Sequence, residues 1–165
     1  MVCTNPPYMG RNGMGSKLSE YVKKNYPDTK LDMSTVFMEK TLDMCSPHGM
    51  MAMINIPVWM SKSSFEQLRL IILNRHTLIN MLHFGRGVFG SDFGTTAFVI
   101  NKSLINDYAS VFRQLYDQIG NVDSLKQKEK WFFENKGHFI VQGGKKQGPE
   151  KERAYCQANE GVHGV

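Results

Sequence analysis

The sequence is poor in cysteine, and its 165 residues contain no long apolar run. The three cysteines, Cys3, Cys45 and Cys156, are far apart and odd in number, which argues against both a disulfide framework and a CxxC metal site. Because no stretch of 18 or more apolar residues is present, the sequence predicts no transmembrane helix. The amino terminus also lacks the basic and then apolar order of a signal peptide. We therefore expect a protein of the reducing cytoplasm.

Metal-ligating patterns are missing as well. The five histidines are scattered and show no HExxH or similar spacing, so no metal is expected. The net charge of +5 and the pI near 9.1 are compatible with a polyanionic partner. Between Asp123 and Arg153, eight basic residues against five acidic ones leave an excess of three positive charges. A solvated charged surface and a nucleic-acid contact surface are both open interpretations of this run.

The most informative stretch is Asn5-Pro6-Pro7-Tyr8, which follows a short apolar entry. Two consecutive prolines lack N–H donors and have a fixed φ, so this segment is neither a helix interior nor a central strand. It predicts a rigid extended turn at the end of a strand. There the Asn5 side-chain oxygen and a proline carbonyl can accept hydrogen bonds from an exocyclic amine, while Tyr8 stacks on the ring of the ligand. An ordinary proline turn is the alternative interpretation.

Hydrophobic periodicity and turn residues predict the elements that follow. The predicted helices cover 16–25, 33–45 with Asp32 as N-cap, 63–75, 104–118 and 124–135, and the predicted strands cover 50–56, 78–84, 95–100 and 138–142. The continuous apolar run 50–56 is typical of a parallel strand that is buried on both faces. Cys3 is expected to be a buried strand residue. From Gly143 onward the sequence is polar and glycine-rich, which predicts disorder.

The tetrapeptide and the ordered series of elements behind it resemble the N6-adenine DNA methyltransferases. The large adenine-specific enzymes of type IIG restriction systems and of BREX phage-exclusion systems are especially similar, over roughly residues 1–102. This resemblance implies an α/β fold, namely the C-terminal half of a Rossmann-like methyltransferase that uses S-adenosylmethionine (SAM), with an antiparallel last strand pair. A helical extension over residues 103–142 and a tail over 143–165 would follow it.

The resemblance also implies the site residues. Asn5, Pro6, Pro7 and Tyr8 would form the catalytic motif, in which Asn5 and the Pro6 carbonyl bind the amine of an adenine turned out of the duplex and Tyr8 stacks on its ring. In the family, an aromatic residue in the loop before the last strand stacks on the opposite face of the base. Phe89 is the first candidate for that residue and Phe93 the second. The alternative is that Phe89 plugs the edge of the sheet.

SAM is the implied cofactor, and no residue of this chain is assigned to its binding. In the family, the glycine-rich loop and the acidic residue that hold it lie upstream of the motif, which begins here at residue 5. We therefore expect a fragment or one subunit of a split enzyme, inactive alone, with an open edge on the strand that ends at Asn5. The expected partners are double-stranded DNA and either the missing N-terminal half or a second copy of the chain.

Two other functions stay open. Asn-Pro-Pro-Tyr also occurs in enzymes that methylate a protein glutamine, and related motifs act on RNA adenine. The loop with Phe89 and the extension past residue 102 favour DNA. A catalytically dead remnant that serves as an interaction module would contain the same residues.

Overall fold

A computed structural model describes residues 1–89, 94–117 and 124–144 of the chain. The strands are β1 (Val2–Thr4), β2 (Met50–Asn55), β3 (Thr77–Gly85), β4 (Thr95–Asn101), β5 (Asp107–Gln114) and β6 (His138–Gly144). The helices are α1 (Ser16–Asn25), α2 (Met33–Met44), α3 (Glu66–Arg75) and α4 (Leu125–Phe133). Phe93 lies outside the described residues, as do residues 145–165 of the predicted tail, whereas its first two residues, Gly143 and Gly144, end β6 and are not disordered as predicted.

The six strands form one mixed sheet in the order β1-β2-β4-β3-β5-β6. β1 pairs parallel to β2 and β3 parallel to β5, whereas β4 is antiparallel to both β2 and β3. The carboxyl ends of β1, β2, β3 and β5 therefore meet at one edge of the sheet, which we call the carboxyl edge. β1 is an end strand, as the sequence predicts, and β3 and β4 are the expected antiparallel pair.

One face of the sheet is covered by α2 and α3. α2 begins where predicted, because the Asp32 side chain accepts hydrogen bonds from the Ser34 amide at 2.8 Å and the Ser34 hydroxyl at 2.6 Å. Behind these helices lies an apolar core in which the Trp59 and Phe98 rings meet edge to face, with centroids 5.4 Å apart. This core fixes the covered face of β2, β3 and β4 against the helices.

The other face of the sheet is largely open. Ala52, Ile54 and Val99 are half-buried there and Cys3 is exposed, around a groove of about 600 Å³. Two expectations are therefore wrong: β2 is fully buried on one face only, and Cys3 is not a buried residue. Both errors have the same cause, since no described helix covers this face beside β1 and β2.

The helix predicted over 104–118 is also wrong. Residues Asp107–Gln114 form β5, which pairs with β3 on one side and with β6 on the other. The extension past residue 102 is thus strand, helix and strand. Its second half agrees with the predictions, since α4 and β6 lie at the expected places. In the described part of the chain, no helix is both long and apolar enough to cross a membrane.

Candidate active site

The motif Asn5–Tyr8 lies at the carboxyl edge, directly after β1. The β1–β2 register pairs Thr4 with Met53, so the motif runs beside the end of β2. Pro6 is buried, whereas Asn5, Pro7 and Tyr8 are exposed. Pro6 therefore anchors the turn, and the amide and the ring are open to a ligand.

Asn5 and Tyr8 contact each other within the motif. The Tyr8 hydroxyl donates to Asn5 Oδ1 at 2.7 Å and lies 3.4 Å from the Ile54 carbonyl. Partial burial raises the pKa of Tyr8 above its usual value, which keeps the phenol protonated and able to donate. An amide oxygen has two lone pairs, so Asn5 Oδ1 can still accept a hydrogen bond from a ligand.

Backbone hydrogen bonds fix the exit from the motif. The Met33 amide donates to the Met9 carbonyl and the Arg11 amide to the Leu31 carbonyl, each at 2.9 Å, around a bridge between Gly10 and Asp32. The turn after Tyr8 is thereby tied to the start of α2. These contacts connect residues that are 20 to 24 positions apart in sequence.

A cavity of about 480 Å³ lies beside Tyr8. Its lining includes Tyr8, Asp32 and Lys62, together with aliphatic side chains from the segment after β2. That segment is held by Arg69, a buried residue of α3 that donates to the Trp59 carbonyl at 3.0 Å and to the Lys62 carbonyl at 2.7 Å. Sequence reasoning did not identify Arg69. The available signal was a cation between the apolar residues Leu68 and Leu70 of a predicted helix.

Phe89 lies in the loop after β3, and this loop starts at the same carboxyl edge. Its side chain is 64% exposed and its φ is +56°, in the left-handed region that non-glycine residues rarely adopt. In the strand order, β3 is three positions from β1, or about 14 Å. The structure thus brings Asn5 and Tyr8 into contact. It places Phe89 on the same edge, separated from the motif by the positions of β2 and β4 in the sheet.

Metal ligands do not gather at this edge. Among the residues that the structure describes, no group of three or more His, Cys, Asp or Glu side chains is arranged to hold a metal ion. The motif itself offers an amide oxygen, proline carbonyls and an aromatic ring, and the cavity beside it adds the side chains of Asp32 and Lys62.

The fold and the site define part of an α/β methyltransferase domain with an Asn-Pro-Pro-Tyr motif at the carboxyl edge. The chain belongs to the Eco57I restriction-modification methylase family, whose family model matches residues 1–89. The resemblance seen in the sequence is therefore confirmed.

Two curated relatives agree with this assignment. The chain is 40% identical over 120 residues to the adenine-specific methyltransferase BrxX of Escherichia coli O9:H4 (strain HS), a match that covers 70% of the chain and 10% of BrxX. It is 38% identical over 133 residues to the adenine-specific methyltransferase PglX of Lacticaseibacillus casei (strain Zhang), a match that covers 78% of this chain and 11% of PglX. The chain thus spans about a tenth of the length of the curated relatives it matches.

Solved structures share the fold at low sequence identity. A structure of the type I restriction-modification system superposes with a TM-score of 0.64 at 14% identity, over 93% of this chain and 35% of that one. The cryo-EM structure of the DrdV–DNA complex gives a TM-score of 0.63 at 15% identity, over 93% of this chain and 18% of that one. The predicted α/β methyltransferase fold is therefore confirmed.

Proposed function

We propose that this chain is part of the catalytic domain of a DNA adenine-N6 methyltransferase from a restriction-modification or phage-defence system, acting in the cytoplasm. The hydrogen bond from the Tyr8 hydroxyl to Asn5 Oδ1 carries the proposal, because it orients an exposed acceptor beside an aromatic ring. Two relatives that are named adenine-specific methyltransferases support adenine as the substrate base. The DNA complex of a protein with this fold supports DNA as the partner, and we propose the double-stranded form.

In this proposal, Asn5 and Pro6 bind the amine that is methylated. One amine proton is donated to Asn5 Oδ1 and the other to the Pro6 carbonyl. These hydrogen bonds favour a tetrahedral nitrogen. Its lone pair is then not shared with the ring and can attack the methyl group in line. One of the two protons leaves to solvent once the new N–C bond has formed. When bound, SAM would supply the methyl group from its positively charged sulfur, and the electron pair of the broken S–C bond would stay on that sulfur, which leaves as a neutral thioether.

Aromatic side chains would hold the base outside the duplex. Tyr8 stacks on one face of the base, and Phe89 reaches the other face from the loop after β3. Stacking of an aromatic side chain on a base contributes roughly 1–3 kcal/mol, which offsets part of the cost of extrusion. The left-handed backbone of Phe89 supports a functional role, because such strain persists where the surrounding structure imposes it.

We infer that SAM is held by polypeptide outside these 165 residues. The sequence has one GxGxxG match, Gly85 to Gly90, but it lies in the loop that leads from β3 toward β4 and not into a helix. Within the described ranges, β1 leads into the motif, β2 into the 3-10 turn Pro57–Met60 and β3 into the loop that carries Phe89. None of these passes through a glycine-rich turn directly into an α-helix, which is the usual cradle for such a cofactor. The open edge of β1 is available to an N-terminal half of the enzyme or to a second copy.

The test is DNA methylation by the full-length protein that contains this chain, with the product identified by nucleoside mass spectrometry. We expect N6-methyladenine from the wild type, no product from Asn5→Ala, and near-normal product from Asn12→Ala, an exposed asparagine seven residues away. SAM affinity should be largely unchanged in both variants. Full activity of Asn5→Ala, or methylation of another acceptor, would contradict the proposal.

A calorimetric titration of this chain alone with SAM tests where the cofactor binds. We expect no heat of binding at millimolar SAM. Saturable micromolar binding would show that the 165 residues, alone or as a dimer, form a cofactor pocket of their own. That result would overturn the inference about SAM and leave the role of Asn5 to be decided by the methylation assay.

A further inference from the structure

Lys128 is a buried lysine on α4. Its relative exposure is 3%, whereas Lys126 on the same helix is exposed and the Lys130 side chain is 61% exposed. Lysine is almost never fully buried unless its ammonium is paired or hydrogen-bonded, because desolvation of the charge is costly. A contact of its ammonium with the loop after β3 is therefore informative about its role.

The Lys128 ammonium donates to the backbone carbonyl of Arg86. Arg86 is the first residue after β3, three positions before Phe89. The contact thus joins α4 to the loop that carries the candidate stacking residue. It spans 42 positions in sequence and connects elements that are not paired in the sheet.

The register of the sheet explains why α4 reaches this loop. Gln114, the last residue of β5, pairs with His138, the first residue of β6. Both residues lie at the carboxyl edge, so the segment between them, including α4, begins and ends there. The Leu115 amide also donates to the His83 carbonyl at 2.9 Å, which brings the end of β5 against the end of β3.

Two further contacts restrain the same loop. Gly85, with φ of +70°, packs so closely on Tyr116 that an added Cβ would lie 2.8 Å from the tyrosine ring. The Thr95 hydroxyl lies 3.4 Å from the Val88 carbonyl. Contacts from Tyr116 just after β5, from α4 and from β4 therefore fall on positions 85, 86 and 88, immediately before the left-handed Phe89.

We propose that Lys128 is a positioning residue that holds the loop after β3 in the conformation that presents Phe89 at the carboxyl edge. Lys128 and α4 lie beyond the part of the chain that the family model matches, residues 1–89. The extension past residue 102 is thereby a working part of the candidate site. The role of Phe89 toward a base rests on the proposed function, whereas the restraint of the loop by Lys128 does not.

The test compares Lys128→Met, which keeps an unbranched stem as far as Cε and removes the ammonium, with the exposed Lys126→Met. Hydrogen exchange of this chain is followed by mass spectrometry. We expect amide exchange over residues 86–89 to become at least ten-fold faster in Lys128→Met and to stay unchanged in Lys126→Met. Exchange in β2 and β4 should be the same in both variants, which a general loss of stability would not produce. Unchanged exchange over residues 86–89 in Lys128→Met would overturn the proposal.

A second measurement on the wild-type chain does not depend on the folding of a variant. Reductive methylation of lysines under native conditions should modify Lys126 and Lys130 at least ten-fold faster than Lys128. Equal rates would show that the ammonium of Lys128 is open to solvent, and the proposal would fail.

In the full-length enzyme, 2-aminopurine at the target position reports on the extruded base. If Lys128→Met loosens the loop but leaves this fluorescence unchanged, the positioning role holds and the assignment of Phe89 to the base is wrong. If both change, the two inferences stand together.

Discussion

The Tyr8 hydroxyl donates a hydrogen bond to Asn5 Oδ1 at 2.7 Å, within a single turn of the chain. The ring of Tyr8 and the amide of Asn5 are therefore parts of one unit and not two independent groups. The aromatic residue has two tasks in this arrangement: its face is available for stacking, and its hydroxyl fixes the direction of the amide oxygen. The two tasks can be separated by mutation.

Tyr8→Phe keeps the ring and removes the hydroxyl. In the full-length enzyme we expect a single-turnover methylation rate about five-fold lower, since one neutral hydrogen bond contributes about 1 kcal/mol. Affinity for DNA should change little, because the stacking face remains. Rapid-quench measurement of the methylated product gives the rate directly.

Tyr21→Phe is the matched control for this prediction. Tyr21 is 56% exposed on α1, and its ring lies 6.3 Å from that of Tyr26. This variant should methylate at the wild-type rate. Equal rates for Tyr8→Phe and the wild type would show that the hydroxyl does not orient Asn5 during the reaction.

Phe89 combines an exposed ring with a left-handed backbone, and two substitutions separate these features. Phe89→Ala removes the ring and keeps the strain, whereas Phe89→Gly removes both. We expect the glycine variant to be more stable than the alanine variant by about 1 kcal/mol, the cost of the left-handed region for a residue with a Cβ. Urea unfolding of this chain measures the difference.

The same two variants report on the base in the full-length enzyme. Both should lose the stacking contribution, roughly 1–3 kcal/mol, when binding to DNA with an abasic partner opposite the target adenine is measured. Phe133→Ala, which removes a 76% exposed ring from α4, should lose none. If Phe89→Ala binds as tightly as the wild type, Phe89 does not stack on the base.

Arg69 supports the wall of the cavity beside Tyr8. In Arg69→Met the Trp59 and Lys62 carbonyls lose a charged donor, so we expect the free energy of unfolding to fall by about 3 kcal/mol. Thermal or urea unfolding of this chain measures the loss. Arg75→Met changes an exposed arginine in the last turn of the same helix and should cost less than about 1 kcal/mol. Similar losses in the two variants would show that the buried contacts of Arg69 contribute little.

The sequence predicts elements well where the signal is local. Asp32 is recognisable as an N-cap because its side chain bonds to an amide two residues away, and the motif is recognisable because its four residues are contiguous. β5 was missed because Tyr108, Phe112 and Leu115 have helical spacing in a short segment, where the periods of helix and strand are hard to tell apart. Pairing with the edge of β3 that β4 does not occupy, which is a tertiary contact, makes this segment a strand.

The parts of the candidate site that sequence did not reveal depend on contacts distant in the chain. The carbonyl partner of Lys128 lies 42 positions away, and a backbone carbonyl has no sequence signature. Cys3 was misplaced for a related reason, since alternation along a strand tells which residues share a face but not whether another element covers that face.

His76 should make the stability of the chain depend on pH. Burial lowers the pKa of His76 below its ordinary value of 6.5. The positive charges of Arg75 and Lys102 lower this pKa further, whereas the hydrogen bond to the Lys102 carbonyl raises it. As pH falls below 6.5, the unfolded chain takes up a proton on this histidine before the folded chain does. Its contribution to stability is therefore complete above pH 6.5 and is lost as the pH falls below that value.

Urea unfolding at pH 7.5 and pH 5.5 tests this expectation. His76→Gln should lose less stability between the two pH values than the wild type does, because the glutamine amide does not titrate. His48→Asn is the control: His48 is exposed with a φ of +61°, a backbone conformation that asparagine tolerates. It should show the wild-type pH dependence. If His76→Gln lost as much stability as the wild type, the titration would belong to other groups, and the burial of His76 would not be the cause.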